Sequence, residues 1–297
     1  MQHVLIAGGS GLVGSRLCEL AKLKGHKVSI LSRSNSNKEG FIHWNPNKGE
    51  IDKTSLTDID YLVNLSGENI AKKAWSKKRK KELRDSRIIS TEFLAEQFNS
   101  INHQLKAVVN ASAIGFYKSS LTEEMTEDEN PSDGFMAELC NNWEQAAQAF
   151  QKNNIRTVII RIGLVLSNIG GAYKAMATPA KFGIGSYLGN GKQKMPWVHI
   201  DDLCNMILFA LENENMKGVY NTTVPNAPSN KTFTKALLKS FHSLNIMPPT
   251  PAFILKMVLG ERSEILLNSY NPSAEKLLNT GFQFEYTDLT KTFSSLK

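Results

Sequence analysis

Short runs of apolar residues alternate with stretches of helical spacing over more than half of the chain. The apolar runs have strand length, and their richness in Val, Ile and Leu is typical of parallel strands buried on both faces. The predicted strands cover residues 4–7, 27–31, 41–46, 59–67, 107–112 and 157–166, and the predicted helices cover 15–21, 82–99 and 135–152. This alternation implies right-handed crossovers and a doubly wound parallel α/β sheet with helices on both faces.

The pattern changes after Leu166. Glycines recur over residues 170–191, which indicates a flexible segment, and regular structure resumes at 197–203. From about Pro225 the chain is predicted to form a smaller, mostly helical region. The α/β domain is expected to cover residues 1–224, and its residues 166–197 are expected to contribute to the substrate side. The C-terminal domain is expected to cover residues 225–297.

A glycine-rich turn joins the first strand to the first helix. Glycine leaves room for a pyrophosphate to approach the backbone, and a helix N-terminus offers unpaired N–H groups to an anion. The glycines fit two registers, Gly9-x-Gly11-x-x-Gly14 and Gly8-x-x-Gly11-x-x-Gly14. In this strand–turn–helix context either register predicts a Rossmann-type dinucleotide site. The expected contacts from the turn are Gly8, Ser10, Gly11, Leu12, Val13 and Gly14.

The end of the second strand indicates which dinucleotide is bound. Sites that prefer NAD usually carry an acidic residue there, which accepts hydrogen bonds from the ribose hydroxyls. This chain has Ser32 and Arg33 instead. Because a guanidinium binds a 2′-phosphate and a carboxylate repels it, the sequence predicts NADP as the cofactor.

Composition is that of an ordinary globular protein, with 297 residues, 41% hydrophobic, 21% charged and a formal net charge of +7. Much of the positive charge lies in a basic run at 72–84. This run is interpreted as the solvated face of a helix, as a helix beside the phosphates of the cofactor, or as a nucleic-acid surface. Nucleic acid is the least favoured partner, because no RNP, helix-turn-helix or zinc motif accompanies the charge.

The remaining composition favours a reduced, metal-free, cytoplasmic protein. Cys18, Cys140 and Cys204 lie far apart with no metal-ligand spacing, so we expect buried free thiols and no metal. No apolar run has membrane-spanning length, and Met1 leads directly into the first strand without a signal peptide. We expect a monomer or homodimer with no membrane partner.

Several motifs together resemble the extended short-chain dehydrogenase/reductases, and within them an atypical epimerase family group. They are the glycine turn, 64–67, 67–69, 85–87, 143–144, 163–166 and 196–202, with 259–261 and 281–284 resembling that group's small C-terminal domain. The match covers essentially the whole chain. The resemblance implies NADP contacts from Ser32, Arg33, Leu65, Ser66, Glu82, Arg87 and the backbone near Val165, and Gly67 follows the same strand as Leu65 and Ser66.

The chain departs from this superfamily at the proton relay. Its members use a Tyr-x-x-x-Lys pair, in which the lysine lowers the pKa of the tyrosine. If Glu144 is the glutamate that commonly follows the lysine by four residues, Met136 and Cys140 occupy the two relay positions. The candidates to replace the relay are Ser112, at a strand end, and Tyr117 shortly after it.

Two functions therefore stay open on the sequence. The first is an NADP-dependent oxidoreductase or epimerase acting on a small polar or sugar-derived substrate. The second is a non-catalytic NADP(H)-binding sensor or scaffold, which the loss of the tyrosine–lysine pair favours. His199, within the 196–202 motif, is interpreted as mainly architectural.

Overall fold

An eight-stranded, mostly parallel sheet forms the centre of the protein. The computed structural model describes residues 1–34, 38–243 and 247–297. The strands are β1 His3–Ala7, β2 Lys27–Ser32, β3 Phe41–Asn45, β4 Glu50–Ile51, β5 Tyr61–Asn64, β6 Ala107–Ala113, β7 Arg156–Ile162, β8 Leu164–Leu166, β9 Trp197–His199 and β10 Gly218–Thr222. The large sheet has the order β10-β7-β6-β5-β1-β2-β3-β4, and only β3–β4 is antiparallel; β8 and β9 form a separate parallel pair.

Helices cover both faces of this sheet. They are α1 Leu12–Leu23, α2 Lys77–Asp85, α3 Ile88–Asn99, α4 Phe135–Ala147, α5 Gly171–Ala180, α6 Ile200–Glu212, α7 Asn230–Ser240, α8 Ala252–Leu259, α9 Glu264–Leu267, α10 Glu275–Leu278 and α11 Leu289–Ser295. Val4 and Ile6 of β1 pack in a core with α1 and α6, whereas Leu5 and Ala7 pack in a core with α3. A strand buried on both faces is what its continuous apolar run predicts. The doubly wound, Rossmann-type fold is therefore confirmed.

The predicted helix at 82–99 is wrong in its bounds, since the structure has two helices. Ser76 caps α2 by accepting a hydrogen bond from the Arg79 N–H, so α2 begins before residue 82. It ends at Asp85, and a short turn at Ser86 and Arg87 separates it from α3. At this turn the Ser86 hydroxyl donates to the Leu83 carbonyl and accepts from the Glu68 N–H. Likewise, α4 ends at Ala147, and a 3₁₀ turn follows it.

The predicted strand at 157–166 divides at Gly163. A Cβ atom on Gly163 would lie 2.7 Å from the Pro196 carbonyl oxygen and 2.5 Å from the Thr223 methyl carbon. The close crossing of these segments separates β7, in the large sheet, from β8, which pairs with β9. Sequence alone gave no sign of this crossing, because its partners are distant in the chain.

The C-terminal region shares a core with the segment after β8. Tyr173 of α5, Phe233 of α7 and Phe293 of α11 belong to one buried cluster, in which Phe293 stacks on Tyr173 and meets Phe233 edge-on. The carboxylate of Asp202 on α6 accepts two hydrogen bonds of 2.9 Å from the backbone N–H groups of Glu285 and Tyr286. In the described ranges, no helix is both long and apolar enough to cross a membrane.

Candidate cofactor cleft and interior polar network

The glycine turn lies where the strand order reverses. β1 pairs with β2 on one side and β5 on the other, so the loops after β1 and β5 face each other at the carboxyl edge of the sheet. Gly8 has φ +81°, and a Cβ atom on it would lie 2.7 Å from the Leu65 carbonyl oxygen. A Cβ atom on Gly14 would lie 2.2 Å from the Gly8 carbonyl oxygen. Gly14 is common to both registers, and a Cβ atom on Gly9 would also lie 2.8 Å from the Ile30 Cγ2 atom. Of the two alternative glycines only Gly8 has a positive φ, which favours the Gly8-x-x-Gly11-x-x-Gly14 register.

A cleft of about 720 Å³ opens beside this turn. It brings together many of the predicted cofactor contacts, namely Gly8, Ser10, Gly11, Ser32, Arg33, Leu65, Ser66, Gly67 and Glu82. These residues come from the loops after β1, β2 and β5 and from α2, which the topology places at one edge. The cleft is also lined by Glu68, Lys73, Arg79 and Asp85, which the sequence analysis did not assign as contacts.

The other predicted contacts lie outside the lining of this cleft. Gly14 is buried at the start of α1. Leu12, Val13 and Val165 are half-buried and pack against the same apolar core. Arg87 lies behind the loop that follows β5.

Arg87 is a half-buried cation held by neutral groups. Its guanidinium donates to the carbonyl oxygens of Leu83 and Glu68, each at 3.1 Å, and lies 5.1 Å from the centre of the Trp143 ring. A Cβ atom on Gly67 would lie 2.9 Å from the Arg87 Cζ, so the absence of a side chain there admits the arginine. In the described part of the chain no carboxylate lies within 4 Å of Arg87, and burial lowers its pKa. The site therefore holds a positive charge not neutralised by a direct ion pair.

A buried chain of amides and hydroxyls fixes the loop after β5. Asn64 donates from its side-chain amide to Thr91 at 2.8 Å and to Asn110 at 2.7 Å. The side-chain Oδ1 atom of Asn64 accepts from the Ser66 hydroxyl at 2.5 Å, and the Trp143 ring N–H donates to the Thr91 hydroxyl at 3.1 Å. Because each partner is itself bonded to the sheet or to α3, the position of Ser66 in the cleft is defined by the protein.

Glu82 faces an arginine in the cleft. Arg79, whose side chain is only 5% exposed, donates to Glu82 at 2.9 Å, to Glu68 at 3.3 Å and to the Asn69 carbonyl at 2.7 Å. The family resemblance implies a cofactor contact for Glu82, and that contact stays a prediction. In the structure Glu82 holds Arg79, because the two residues lie one turn apart on α2. The spacing of three residues between Arg79 and Glu82 within the basic run could have indicated this pair from the sequence.

Ser112 and Tyr117, the predicted catalytic residues, both belong to an interior network. The Ser112 hydroxyl donates to Glu144 at 2.6 Å, and Glu144 forms a two-point ion pair with Arg161, with both contacts at 2.9 Å. Arg161 donates to the Tyr117 hydroxyl at 2.9 Å, and this hydroxyl donates to Asn221 at 2.7 Å. Ser112, Tyr117, Glu144 and Arg161 are all buried.

This network places both hydroxyls away from solvent. Tyr117 is 2% exposed, and burial raises its pKa to about 12. Proton donation by Tyr117 or Ser112 stays a prediction, but their hydroxyls are engaged by Asn221 and Glu144. A neutral hydroxyl bound in this way contributes to a unique packing of the interior.

Met136 and Cys140 lie one turn apart on α4 and face the turn after β6. The terminal carbon of Met136 lies 2.9 Å, and the Cys140 sulfur 4.0 Å, from where a Cβ atom on Gly115 would stand. Burial raises the pKa of the Cys140 thiol, which is a neutral packing group at physiological pH. Neither side chain supplies the cation that lowers the pKa of the tyrosine in the usual relay.

A second cavity of about 730 Å³ lies on the C-terminal side of the protein. Its walls come from residues 119–121 after β6, residues 188–193 and residues 252–269. Residues 188–193 and 252–269 belong to the glycine-rich segment and the C-terminal domain, where the substrate side is predicted, whereas residues 119–121 were not part of that prediction. The lining mixes uncharged polar residues with leucine, alanine and glycine, and its charged groups are Lys256, Glu261 and Glu264.

His199 and the cysteines have structural positions. The Nδ1 atom of His199 accepts from the Asp201 N–H and caps α6, and the ring stacks on Tyr286 at 3.8 Å. This agrees with an architectural role. The three cysteines are buried and free. Among the residues that the structure describes, no group of three or more His, Cys, Asp or Glu side chains is arranged to hold a metal, and the absence of a metal stays a prediction.

Comparison with known proteins relates both parts of the chain to described sequences. The NAD dependent epimerase/dehydratase family matches residues 4–222, and a domain of unknown function, DUF1731, matches residues 250–296. The epimerase family protein SH2119 of Staphylococcus haemolyticus is 34% identical over 302 residues, covering 100% of this chain and 99% of that protein.

Solved structures show the same relationship. The human epimerase family protein SDR39U1 (isoform 2), solved with NADPH, has a TM-score of 0.91 at 30% identity and 99% coverage of both chains. A nucleoside-diphosphate sugar epimerase from Corynebacterium glutamicum has a TM-score of 0.82 at 29% identity, covering 99% of this chain and 58% of that one. With its glycine turn at the switch point, its sheet order and its C-terminal domain, the chain belongs to the NAD-dependent epimerase/dehydratase family, in the group of epimerase family proteins that carry a DUF1731 domain.

Proposed function

We propose that this protein is an NADP(H)-dependent oxidoreductase or epimerase that acts on a small polar or sugar-derived substrate. The observation that carries the cofactor part is the charge at the end of β2. Ser32 and Arg33 line the cleft at the position where an acidic residue would select NAD. The NADPH bound to human SDR39U1 supports the same choice.

The residues present fit a dinucleotide. Gly8 and Gly14 leave no space for a side chain at the turn, which keeps the backbone of this turn compact beside the N-terminus of α1. Leu65, Ser66 and Gly67 border the cleft from the opposite loop, and Ser66 is held in place by Asn64. Arg87 supplies a half-buried positive charge behind this loop. When bound, the nicotinamide supplies a site that accepts or donates hydride.

The substrate is proposed to occupy the second cavity, between the glycine-rich segment and the C-terminal domain. Asn190, Gln193 and Asn268 line it among leucine and alanine side chains, and such a wall suits a ligand that offers both hydroxyl groups and apolar surface. The sugar epimerase of Corynebacterium glutamicum supports a sugar-derived substrate class. Within this proposal Ser112 and Tyr117 stay the candidate proton-handling residues, although their hydroxyls are buried and hydrogen-bonded.

A non-catalytic NADP(H)-binding sensor or scaffold is the second candidate. The observation that favours it is the engagement of Tyr117 by Arg161 and Asn221, together with Met136 and Cys140 at the relay positions. Incubation with NADPH or NADP⁺ and a panel of carbonyl compounds and nucleotide sugars, followed at 340 nm and by analysis of the sugar products, separates the two. Substrate-dependent oxidation of NADPH, or formation of an epimer without net oxidation, supports the enzyme, whereas cofactor binding with neither reaction across the panel supports the sensor.

A further inference from the structure

The carboxylate of Glu68 lies between two arginines of the cleft. Its Oε1 atom is 3.7 Å from Arg33, and its Oε2 atom is 3.3 Å from Arg79. Arg33 is the cation expected to bind the 2′-phosphate, so this cation already has an anionic partner. A 2′-phosphate that binds this guanidinium must therefore displace the contact between Arg33 and Glu68.

Glu68 is fixed at several points. Its backbone N–H donates to the Ser86 hydroxyl at 3.0 Å, and its carbonyl oxygen accepts from Arg87 at 3.1 Å. Its Oε2 atom is held by the buried Arg79, which Glu82 holds in turn. The carboxylate therefore has little freedom to leave the cleft.

The side chain of Arg33, in contrast to that of Glu68, is exposed and weakly held. It is 70% exposed, and its single carboxylate contact within the described residues is the one at 3.7 Å to Glu68. That distance is at the long end for an ion pair, and exposed pairs of this kind are weak. Between the two partners, Arg33 is the one free to turn towards a ligand.

We infer that Glu68 is an internal competitor of the adenosine 2′-phosphate for Arg33, and that it sets how strongly the protein prefers NADP(H) over NAD(H). This rests on the proposed NADP(H) binding. When Arg33 turns to the phosphate, Glu68 keeps its contact with Arg79, so no carboxylate is left unpaired in the cleft. The exchange therefore avoids the larger cost of isolating a charge.

The inference predicts a selective gain of affinity in Glu68→Gln. Glutamine keeps an oxygen that accepts from Arg79 and removes the negative charge that faces Arg33. In calorimetric titrations, NADPH is expected to bind this variant about fivefold more tightly than the wild type. The reason is that the 2′-phosphate no longer has to displace an ion pair between Arg33 and Glu68. NADH, which has no 2′-phosphate, is expected to bind with affinity within about twofold of the wild type. In an Arg33→Ala background the same change is expected to bring no gain for NADPH.

Asp85→Asn is the matched control, because Asp85 lines the same cleft but pairs with Lys81 and not with Arg33. An equal gain in this control overturns the inference, because net charge would then explain the effect. An unchanged ratio of NADPH to NADH affinity in Glu68→Gln also overturns it, as does a gain that persists without Arg33. Weaker NADH binding in Glu68→Gln also overturns the inference, because it would mean that Glu68 accepts hydrogen bonds from the ribose hydroxyls. If the wild type binds neither dinucleotide, the proposed function itself fails, which a failure of the Glu68 test alone does not imply.

Discussion

The guanidinium of Arg161 and the carboxylate of Glu144 form a two-point ion pair in the interior, with both contacts at 2.9 Å. Glu144 lies on α4 and Arg161 on β7, so the pair ties a helix to the sheet. Ser112 and Tyr117 complete it at its two ends. The polar groups at the end of β6 are therefore satisfied within the protein before any ligand binds.

Removing one partner of this pair is expected to destabilise the fold strongly. Glu144→Ala leaves the buried Arg161 without its counter-ion, which costs about 3–5 kcal/mol in the free energy of unfolding. Glu138→Ala is the control, since Glu138 lies on the same helix and pairs with Arg84 at 2.7 Å on the surface, where the expected cost is below about 1 kcal/mol. Urea denaturation measures both. Equal losses in the two variants would contradict the account.

Tyr117→Phe tests the two roles of this hydroxyl separately. The variant removes the acceptor of Arg161 and the donor to Asn221, so stability is expected to fall by about 1–3 kcal/mol with NADPH affinity unchanged. If Tyr117 also handles the proton, turnover of a substrate found in the panel falls about 10²–10⁴-fold. Ser112→Ala is expected to reduce turnover in the same way but less. Wild-type turnover in both variants would refute the catalytic assignment, and unchanged stability in Tyr117→Phe would refute the structural one.

The glycine turn is expected to tolerate no methyl group at Gly14. The new Cβ atom would lie 2.2 Å from the Gly8 carbonyl oxygen, so Gly14→Ala must displace the turn or α1. We expect a loss of about 1–3 kcal/mol in stability and weaker binding of NADPH and NADH alike. In Gly170→Ala the added atom meets only Leu12 at 3.6 Å, an ordinary contact, so that control is expected to bind normally. Unimpaired binding in Gly14→Ala, measured by calorimetry, would argue against the turn as the pyrophosphate site.

Asp202 is expected to make stability depend on pH. Burial raises the pKa of this carboxyl to about 6, above its ordinary value of 3.8. The folded state then binds the proton more tightly than the unfolded state, so the contribution of Asp202 to stability falls as pH rises from about 4 to about 6 and is constant above about 7. In Asp202→Asn this slope is expected to disappear.

The measurement is the free energy of unfolding of wild type and Asp202→Asn at pH 4.5, 5.5 and 7. The stability of the wild type relative to the variant is expected to decrease with pH over this range. A relative stability that rises with pH would mean that the two N–H groups of Glu285 and Tyr286 outweigh the burial of Asp202. The pKa of Asp202 would then lie below its usual range.

Sequence patterns predicted those parts of the molecule that depend on local chemistry. The glycine turn and the end of β2 combine neighbouring residues whose strand, turn and helix preferences agree. The interior network could not be predicted in this way, because Ser112 and Glu144 lie 32 residues apart and Tyr117 and Asn221 lie 104 apart. No periodicity relates such positions, and only the folded sheet brings them together. The turn at Ser86, which divides the predicted helix, likewise involves a distant partner, since the Ser86 hydroxyl accepts from the Glu68 N–H.

The central claim is that Arg33 makes the cleft selective for the phosphorylated dinucleotide. Calorimetric titration of the wild type and Arg33→Ala with NADPH and with NADH tests it most directly. The account predicts tighter binding of NADPH than of NADH by the wild type, and an NADPH affinity about ten- to a hundredfold lower in the variant with little change for NADH. Equal affinities of the wild type for the two dinucleotides, or equal losses for both in Arg33→Ala, would contradict it.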